Sequence, residues 1–263
     1  MKTIFITGSS SGIGLETTKL FSQKGWRVIA TMRNPAKCPE LATLSNVEVV
    51  KLDVSDSVEI KRVVADVLSK YDVDAVLNNA GYGIMAPLEV PTEEQIYKVF
   101  QTDVFGTLFV TQQFIPHFKK RKHGVIMATT SLAGIISLPR DGVYGAAKHA
   151  QQGMMESLYY ELRPYGVAVK TMIPGGTKTN FQTPLNVTNE YKEANDRQQA
   201  YLRNGNPDFP GPQEAAETIY RAVTDGKDQL RYCTGSVCQI LYDQYEEMGI
   251  EKFKGWFYNL LFE

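Results

Sequence analysis

Apolar positions along this chain switch repeatedly between two periods. Lys2 to Ile6 reads as a strand, after which Ile13, Thr17, Leu20 and Phe21 recur at helical spacing until Gly25 ends the pattern. Arg27 to Thr31 and Val47 to Leu52 read as a second and a third strand. Ile60, Val63, Val64, Val67 and Leu68 then fall at i, i+3, i+4, i+7 and i+8, which predicts a helix with one buried face. Ala75 to Leu77 predicts a fourth strand, and a long helical stretch follows from about Thr92 to Lys120. Val125 to Ala128 gives a fifth strand, the segment YGAAK opens a helix running to Leu162, and Val167 to Ile173 gives a sixth strand. Strictly alternating strands and helices call for an α/β fold: a doubly wound parallel sheet with helices on both faces and right-handed crossovers. No repeat, low-complexity tract or flexible linker divides the chain, so residues 1–263 are expected to form one domain.

Residues 177–212 break the pattern, being rich in Asn, Gln, Thr and Pro with only a weak helical signal from Tyr191 to Leu202. A polar segment this long inside a compact domain is expected to act as a substrate lid. The late cluster GWFYNLLF is short and lacks basic flanks, so it reads as core or subunit contact rather than membrane anchor.

Composition narrows the function classes. The 263 residues are 43% hydrophobic and 22% charged, ordinary for a globular protein. A net charge of -1 gives no general electrostatic reason to bind nucleic acid or an anionic membrane. The start, MKTIFITG, carries no secretory pattern, and no apolar stretch approaches the roughly 20 residues that span a bilayer, so a soluble, cytoplasmic protein is expected. Cys38, Cys233 and Cys238 have no paired CxxC spacing and His117, His123 and His149 are scattered, so no metal is expected. Neither a GxSxG elbow nor a GxxxxGK loop is present, against a serine hydrolase and a kinase-like NTPase.

Candidate chemistry centres on Tyr144 and Lys148, four positions apart, with Ser131 thirteen positions before the tyrosine. On a helix, i and i+4 share a face, so phenol and ammonium project together. Tyrosine titrates near 10, and a base working near pH 7 must recover roughly 4 kcal/mol from its surroundings, which an adjacent ammonium in a closed cleft supplies. Taken alone, the pair also fits a packed tyrosine beside a solvated lysine. Thr7-Gly8-Ser9-Ser10-Ser11-Gly12-Ile13-Gly14 lies between the first strand and the first helix. Glycines there allow backbone to approach a pyrophosphate, whose charge the helix terminus favours. The second strand ends Ala30-Thr31-Met32-Arg33 without an acid to hold ribose hydroxyls. Arg33 is placed to pair with a 2'-phosphate, which favours NADP over NAD, unless it merely opens a solvated loop.

Taken in order, these motifs resemble the short-chain dehydrogenase/reductase family over nearly the whole chain, which implies a Rossmann-like fold. TGSSSGIG looks like the family's cofactor turn, Asp53-Val54 like its adenine contact, and Asn78-Asn79-Ala80-Gly81 like its NNAG segment. Ser131, Tyr144 and Lys148 match the catalytic positions, and Pro174-Gly175, with Thr177 and Thr179 nearby, matches the nicotinamide loop. The resemblance implies that Tyr144 exchanges a proton with substrate oxygen, Lys148 lowers its pKa and holds the nicotinamide ribose, and Ser131 bonds the carbonyl. It also implies a homodimer or homotetramer. One residue departs: Asp103, in QTDVFG, stands where the family usually has an asparagine that relays protons through ordered water. Ionised aspartate accepts but cannot donate.

An NADPH-dependent carbonyl reductase or alcohol dehydrogenase is therefore expected, acting on a small ketone, aldehyde or secondary alcohol. Met85, Leu132, Ile135, Ile136, Phe181 and Leu185, with Tyr191 and Tyr201 in the lid, suggest a hydrophobic substrate. Two rivals stand beside it. One is a non-catalytic NADP-sensing protein, favoured by Asp103. The other is a nucleotide-sugar epimerase or dehydratase, disfavoured by the short region after Pro174.

Overall fold

The computed structural model of the chain describes residues 1–179, 181–184, 191–203 and 209–263. Its strands are β1 (Thr3–Thr7), β2 (Arg27–Met32), β3 (Val47–Lys51), β4 (Ala75–Asn78), β5 (Gly83–Met85), β6 (Gly124–Thr129), β7 (Val167–Pro174), β8 (Gln182–Pro184) and β9 (Arg231–Thr234). Seven of them pair in parallel in the order β3-β2-β1-β4-β6-β7-β9. Every residue of β1 and β4 is buried. Along β1, Ile4 and Ile6 face one side and Phe5 the other, each packing into a separate core. Continuous apolar strands need cover on both faces, as the sequence predicts.

That cover comes from α1 (Gly12–Gln23) and α7 (Pro212–Thr224) on one face, and from α2 (Ser57–Lys70), α4 (Gly106–Arg121) and α5 (Gly142–Leu162) on the other. Phe21, Ile219 and Ala222 fill the first core, while Val63, Phe114 and Met155 fill the second. The helical stretch expected from Thr92 to Lys120 is interrupted. It begins as α3 (Glu93–Val99), with a Thr92–Gln95 capping box, and opens into a π-helical turn over Phe100–Phe105 before α4. Such a turn carries an extra residue that the apolar period cannot reveal.

Beyond Pro212 the chain adds a seventh sheet strand that the periodicity does not delineate. β9 shows two buried and two half-buried residues in only four, and it lies at the sheet edge, where little burial is available to mark it. A second small parallel pair, β5 with β8, ties the chain after β4 to the chain after β7. Within residues 177–212, the expected helical signal is α6 (Lys192–Arg203).

α8 (Ser236–Met248) and α9 (Ile250–Phe262) form a third core with Ile173 and Ile136. Phe253, Phe257 and Leu261 of α9 are buried there, whereas Tyr258 and Phe262 are exposed. The inner face of the GWFYNLLF cluster is therefore core. Among the described residues no helix is long and apolar enough to cross a membrane.

This split predicts opposite outcomes for neighbouring aromatics. Phe257→Ala should cost about 3–5 kcal/mol of folding stability. Tyr258→Ala should stay within about 0.5 kcal/mol. Urea unfolding of the two variants beside wild type checks both.

Candidate active site

A cavity of about 690 Å³ opens at the carboxyl ends of β1, β4, β6 and β7. The chain order reverses between β1 and β4, the position where open α/β sheets leave a crevice for ligands. The glycine turn forms one wall. Gly8 has φ 70°, and a Cβ there would stand 2.7 Å from Ala80 Cα. Thr7 and Asn79 brace the approach: Thr7 Oγ1 accepts the amides of Asn79 (2.9 Å) and Ala80 (3.0 Å), and Asn79 Nδ2 donates to Thr7 O (3.1 Å) and Gly8 O (3.2 Å). Ser11, the N-cap of α1, makes no side-chain capping bond, so the first-turn amides are left open. A backbone cradle that a Cβ would fill, beside an uncapped helix terminus, fits a dinucleotide phosphate.

Arg33 is exposed on the cavity rim, and among the described residues its guanidinium forms no ion pair. Asp53 is held in place by the Ser55 amide (2.9 Å) and hydroxyl (2.7 Å), both donating to Oδ1. Sixteen of the seventeen residues assigned to cofactor from sequence line the cavity: Gly8, Ser10, Ser11, Gly12, Ile13, Arg33, Asp53, Val54, Asn79, Ala80, Gly81, Tyr144, Lys148, Pro174, Gly175 and Thr177. Gly14 does not. It packs behind the turn, where a Cβ would meet Gly8 O at 2.2 Å, so its role is close packing of helix against loop.

Ser131, Tyr144 and Lys148 come together at the other end of the cavity. Lys148 is buried, and its ammonium donates to Gln151 Oε1 (2.8 Å) and Thr129 O (3.2 Å) while pairing with Asp103 Oδ2 at 3.0 Å. Asp103 is fully buried in the π turn, does not line the cavity, and accepts the Tyr82 amide on Oδ1 at 2.7 Å. Burial raises its carboxyl, and the Lys148 ammonium pulls it back. Gln151 Nε2 donates to the main-chain oxygen of Asp103 and to Thr107 Oγ1, both at 2.7 Å. Asp103 thus meets Lys148 by direct contact, and its own carbonyl is taken by Gln151.

Tyr144 differs from expectation. Burial pushes its phenol well above the ordinary tyrosine value, the Ser131 hydroxyl pulls it down, and the charges of Asp103 and Asp141 push it further up. Lys148 Nζ lies 5.5 Å from the ring centroid, but its charge is already matched by Asp103. The phenol rests in its protonated form. Phe181 packs edge-on against it, centroids 5.6 Å apart.

Of the apolar residues expected around the substrate, Met85, Leu132 and Phe181 line the cavity. Ile135 and Ile136 instead join the third core, and Tyr201 packs on Trp256 and Phe257, because α9 lies beneath them. Tyr191 reaches Glu89 at 2.9 Å, away from the cavity, and Leu185 lies outside the described residues. The sequence reading missed Gln151, although it sits three residues after Lys148 on the same helical face. It also missed Leu138, Asp141 and Phe209, which come from segments outside the pattern, and Gln198 and Leu202, four apart on α6.

The family model described as short chain dehydrogenase matches residues 2–190. An uncharacterised oxidoreductase of Schizosaccharomyces pombe is 38% identical over 208 residues, 78% of this chain and 88% of that one. A 3-ketodihydrosphingosine reductase of Bacteroides thetaiotaomicron is 31% identical over 246 residues, covering 91% and 90%. Among solved structures, a short-chain dehydrogenase from Streptomyces avermitilis superposes with a TM-score of 0.84 at 29% identity, over 94% of this chain and 93% of that one.

The buried pair makes a stability prediction. Asp103→Leu strands the Lys148 ammonium in the core and should cost about 3–5 kcal/mol, whereas Asp103→Asn keeps an acceptor oxygen and should cost less. Chemical denaturation of both variants measures the difference.

Proposed function

The chain belongs to the short chain dehydrogenase family, and from that premise we propose that it is an NADPH-dependent carbonyl reductase. The observation that carries the reading is that Ser131, Tyr144 and Lys148, the last two one helical turn apart, line the same cavity as the glycine turn that fits a dinucleotide. Bound NADPH supplies the hydride. Tyr144 gives its proton to the carbonyl oxygen, and Ser131 holds that oxygen in line. Lys148, fixed by Asp103, Gln151 and the Thr129 carbonyl, stabilises the phenolate that proton transfer leaves. A phenol that burial keeps neutral suits reduction, which begins with the acid form.

Arg33 supports NADPH over NADH, since its unpaired guanidinium stands at the end of β2 where no carboxylate opposes a 2'-phosphate. Met85, Leu132, Leu138, Phe181, Leu202 and Phe209 on the cavity wall support a largely apolar substrate body. The Bacteroides relative is named for reduction of 3-ketodihydrosphingosine, which agrees with a ketone as substrate. Residues 177–212 act as the substrate lid in this reading, and Phe181, Leu202 and Phe209 on the cavity wall support that role. By family resemblance the protein works as a cytoplasmic homodimer or homotetramer of one-domain chains.

NADPH consumption against a panel of ketones and aldehydes tests the reading. Wild type should turn over at least one compound, and Tyr144→Phe should lower kcat by about 10²–10⁴-fold. Binding of NADPH without turnover on a broad panel would favour the NADP-sensing alternative.

Cofactor choice has its own measurement. Arg33→Ala should weaken NADPH binding by about 1.5–3 kcal/mol, the worth of a charge-assisted bond, and leave NADH nearly unchanged. Equal losses for both cofactors would remove Arg33 from the argument.

A further inference from the structure

Two buried polar side chains on the cavity wall lack the hydrogen bonds that burial demands. Asp141 is 6% exposed and stands at the N-cap of α5, yet it caps no amide of that helix and its Oδ1 has no partner. An aspartate in that position ordinarily accepts from the second or third helical amide. Gln198 of α6 is 0% exposed, and neither its amide oxygen nor its amide nitrogen is hydrogen bonded. Both line the cavity that contains Tyr144 and Ser131. Among the described residues, no other polar side chain on that wall is buried without a partner.

The backbone around Asp141 is held in an uncommon shape. Arg140 has φ 69°, in the left-handed region that long side chains rarely adopt, and its carbonyl accepts the Ala86 amide at 2.9 Å. Burial pushes the Asp141 carboxyl up to about 7, with the neighbouring Arg140 guanidinium acting against that rise. At neutral pH the group is divided between its two forms, and both accept a hydrogen bond. Its charge is felt at the Tyr144 phenol, one helical turn away.

We propose that Asp141 and Gln198 form a recognition subsite for a hydroxyl group that the substrate carries within a few bonds of the reacting carbonyl. A hydroxyl meets one acceptor and the one donor among these three atoms: its proton goes to Asp141 Oδ1 or Gln198 Oε1, and its oxygen accepts from the Gln198 amide nitrogen. This rests on the reading of the cavity as a carbonyl-reducing site, and it replaces a wholly apolar ketone with a hydroxyketone of otherwise apolar body. A site built to bond a hydroxyl rejects the analogue that lacks it, because its buried groups then stay unpaired.

The test compares kcat/KM with NADPH for three ketones of equal chain length: an α-hydroxyketone, its methyl ether and the deoxy ketone. Wild type should favour the hydroxyketone over both others by at least about tenfold. That ratio should fall to about one in Asp141→Leu and in Gln198→Leu. If no ketone is reduced, the carbonyl-reductase reading fails while the subsite is still measured by calorimetric binding of the matching 1,2-diol and mono-alcohol. Tighter binding of the diol, lost in the leucine variants, supports the subsite. A wild-type ratio near one, or a preference that survives both leucine substitutions, overturns it.

Discussion

An ammonium group inside a protein core must be surrounded by acceptors, and meeting that demand for Lys148 organises the active end of this fold. Lys148 is 2% exposed, and its three partners come from three separate elements: the Thr129 carbonyl at the end of β6, Gln151 one turn along α5, and the Asp103 carboxylate. Leaving such a charge unpaired costs far more than the pair returns in net stability, so each partner is a constraint on the chain that carries it. The π turn is the clearest case. A regular helix from Glu93 to Arg121 would keep the 3.6-residue period, and the widened turn is the place where Asp103 faces wholly inward. Gln151 then secures the turn from the other side by bonding the Asp103 carbonyl and the Thr107 hydroxyl.

The same network reaches the nucleotide wall. Thr129 accepts from Lys148 through its carbonyl and donates from its hydroxyl to Asn79 Oδ1 at 3.2 Å. Asn79 in turn donates to the carbonyls of Thr7 and Gly8, at the start of the glycine turn. One chain of hydrogen bonds therefore links Lys148 to the glycine turn across the ends of β6, β4 and β1. Side chains locked by packing and by further hydrogen bonds hold a reactive geometry better than isolated loops do. The parallel sheet makes this arrangement available, because it brings the carboxyl ends of these strands side by side at the crevice.

Much of this was legible in the sequence, and the misses share a cause. β1, β2, β4, β6 and β7 announce themselves because their residues are mostly buried on both faces, β3 shows as an apolar run, and β5, three residues long, was not read. The glycine turn and the Tyr144–Lys148 spacing are local patterns. What stayed hidden depends on contacts between elements distant in the chain. Asp103 was visible as a departure from the family pattern, but its direct pairing with Lys148 needs α5 and the π turn to meet. Lys148 was expected to lower the Tyr144 phenol, and the phenol lies above its ordinary value instead, chiefly because burial penalises the phenolate, while Asp103 pairs with the ammonium. β9 was missed because an edge strand of four residues buries too little to show a period. Ile135 and Ile136 were expected beside the site and Tyr201 in the lid, because nothing local reveals that they pack with α9.

A tyrosine is neutral at pH 7 on its own, and at Tyr144 burial pushes the phenol further up, with the surrounding charges adding to that rise. Coulomb attraction from the Lys148 ammonium favours phenolate, but pairing at 3.0 Å with a carboxylate weakens that pull on a ring whose centroid is 5.5 Å away. Burial is the largest push on the phenol, the Asp103 and Asp141 carboxyls add to it, and the Ser131 hydroxyl opposes them. On the proposed reading, the acid needed for reduction is therefore present before substrate enters. The oxidative direction would start from phenolate, which this apolar, anion-flanked site disfavours. An asparagine at position 103 would leave the Lys148 charge uncompensated and lower the phenol, shifting the same Ser, Tyr and Lys toward base chemistry. On the proposed reading, the departure at Asp103 therefore works with burial to favour the direction that begins from the phenol.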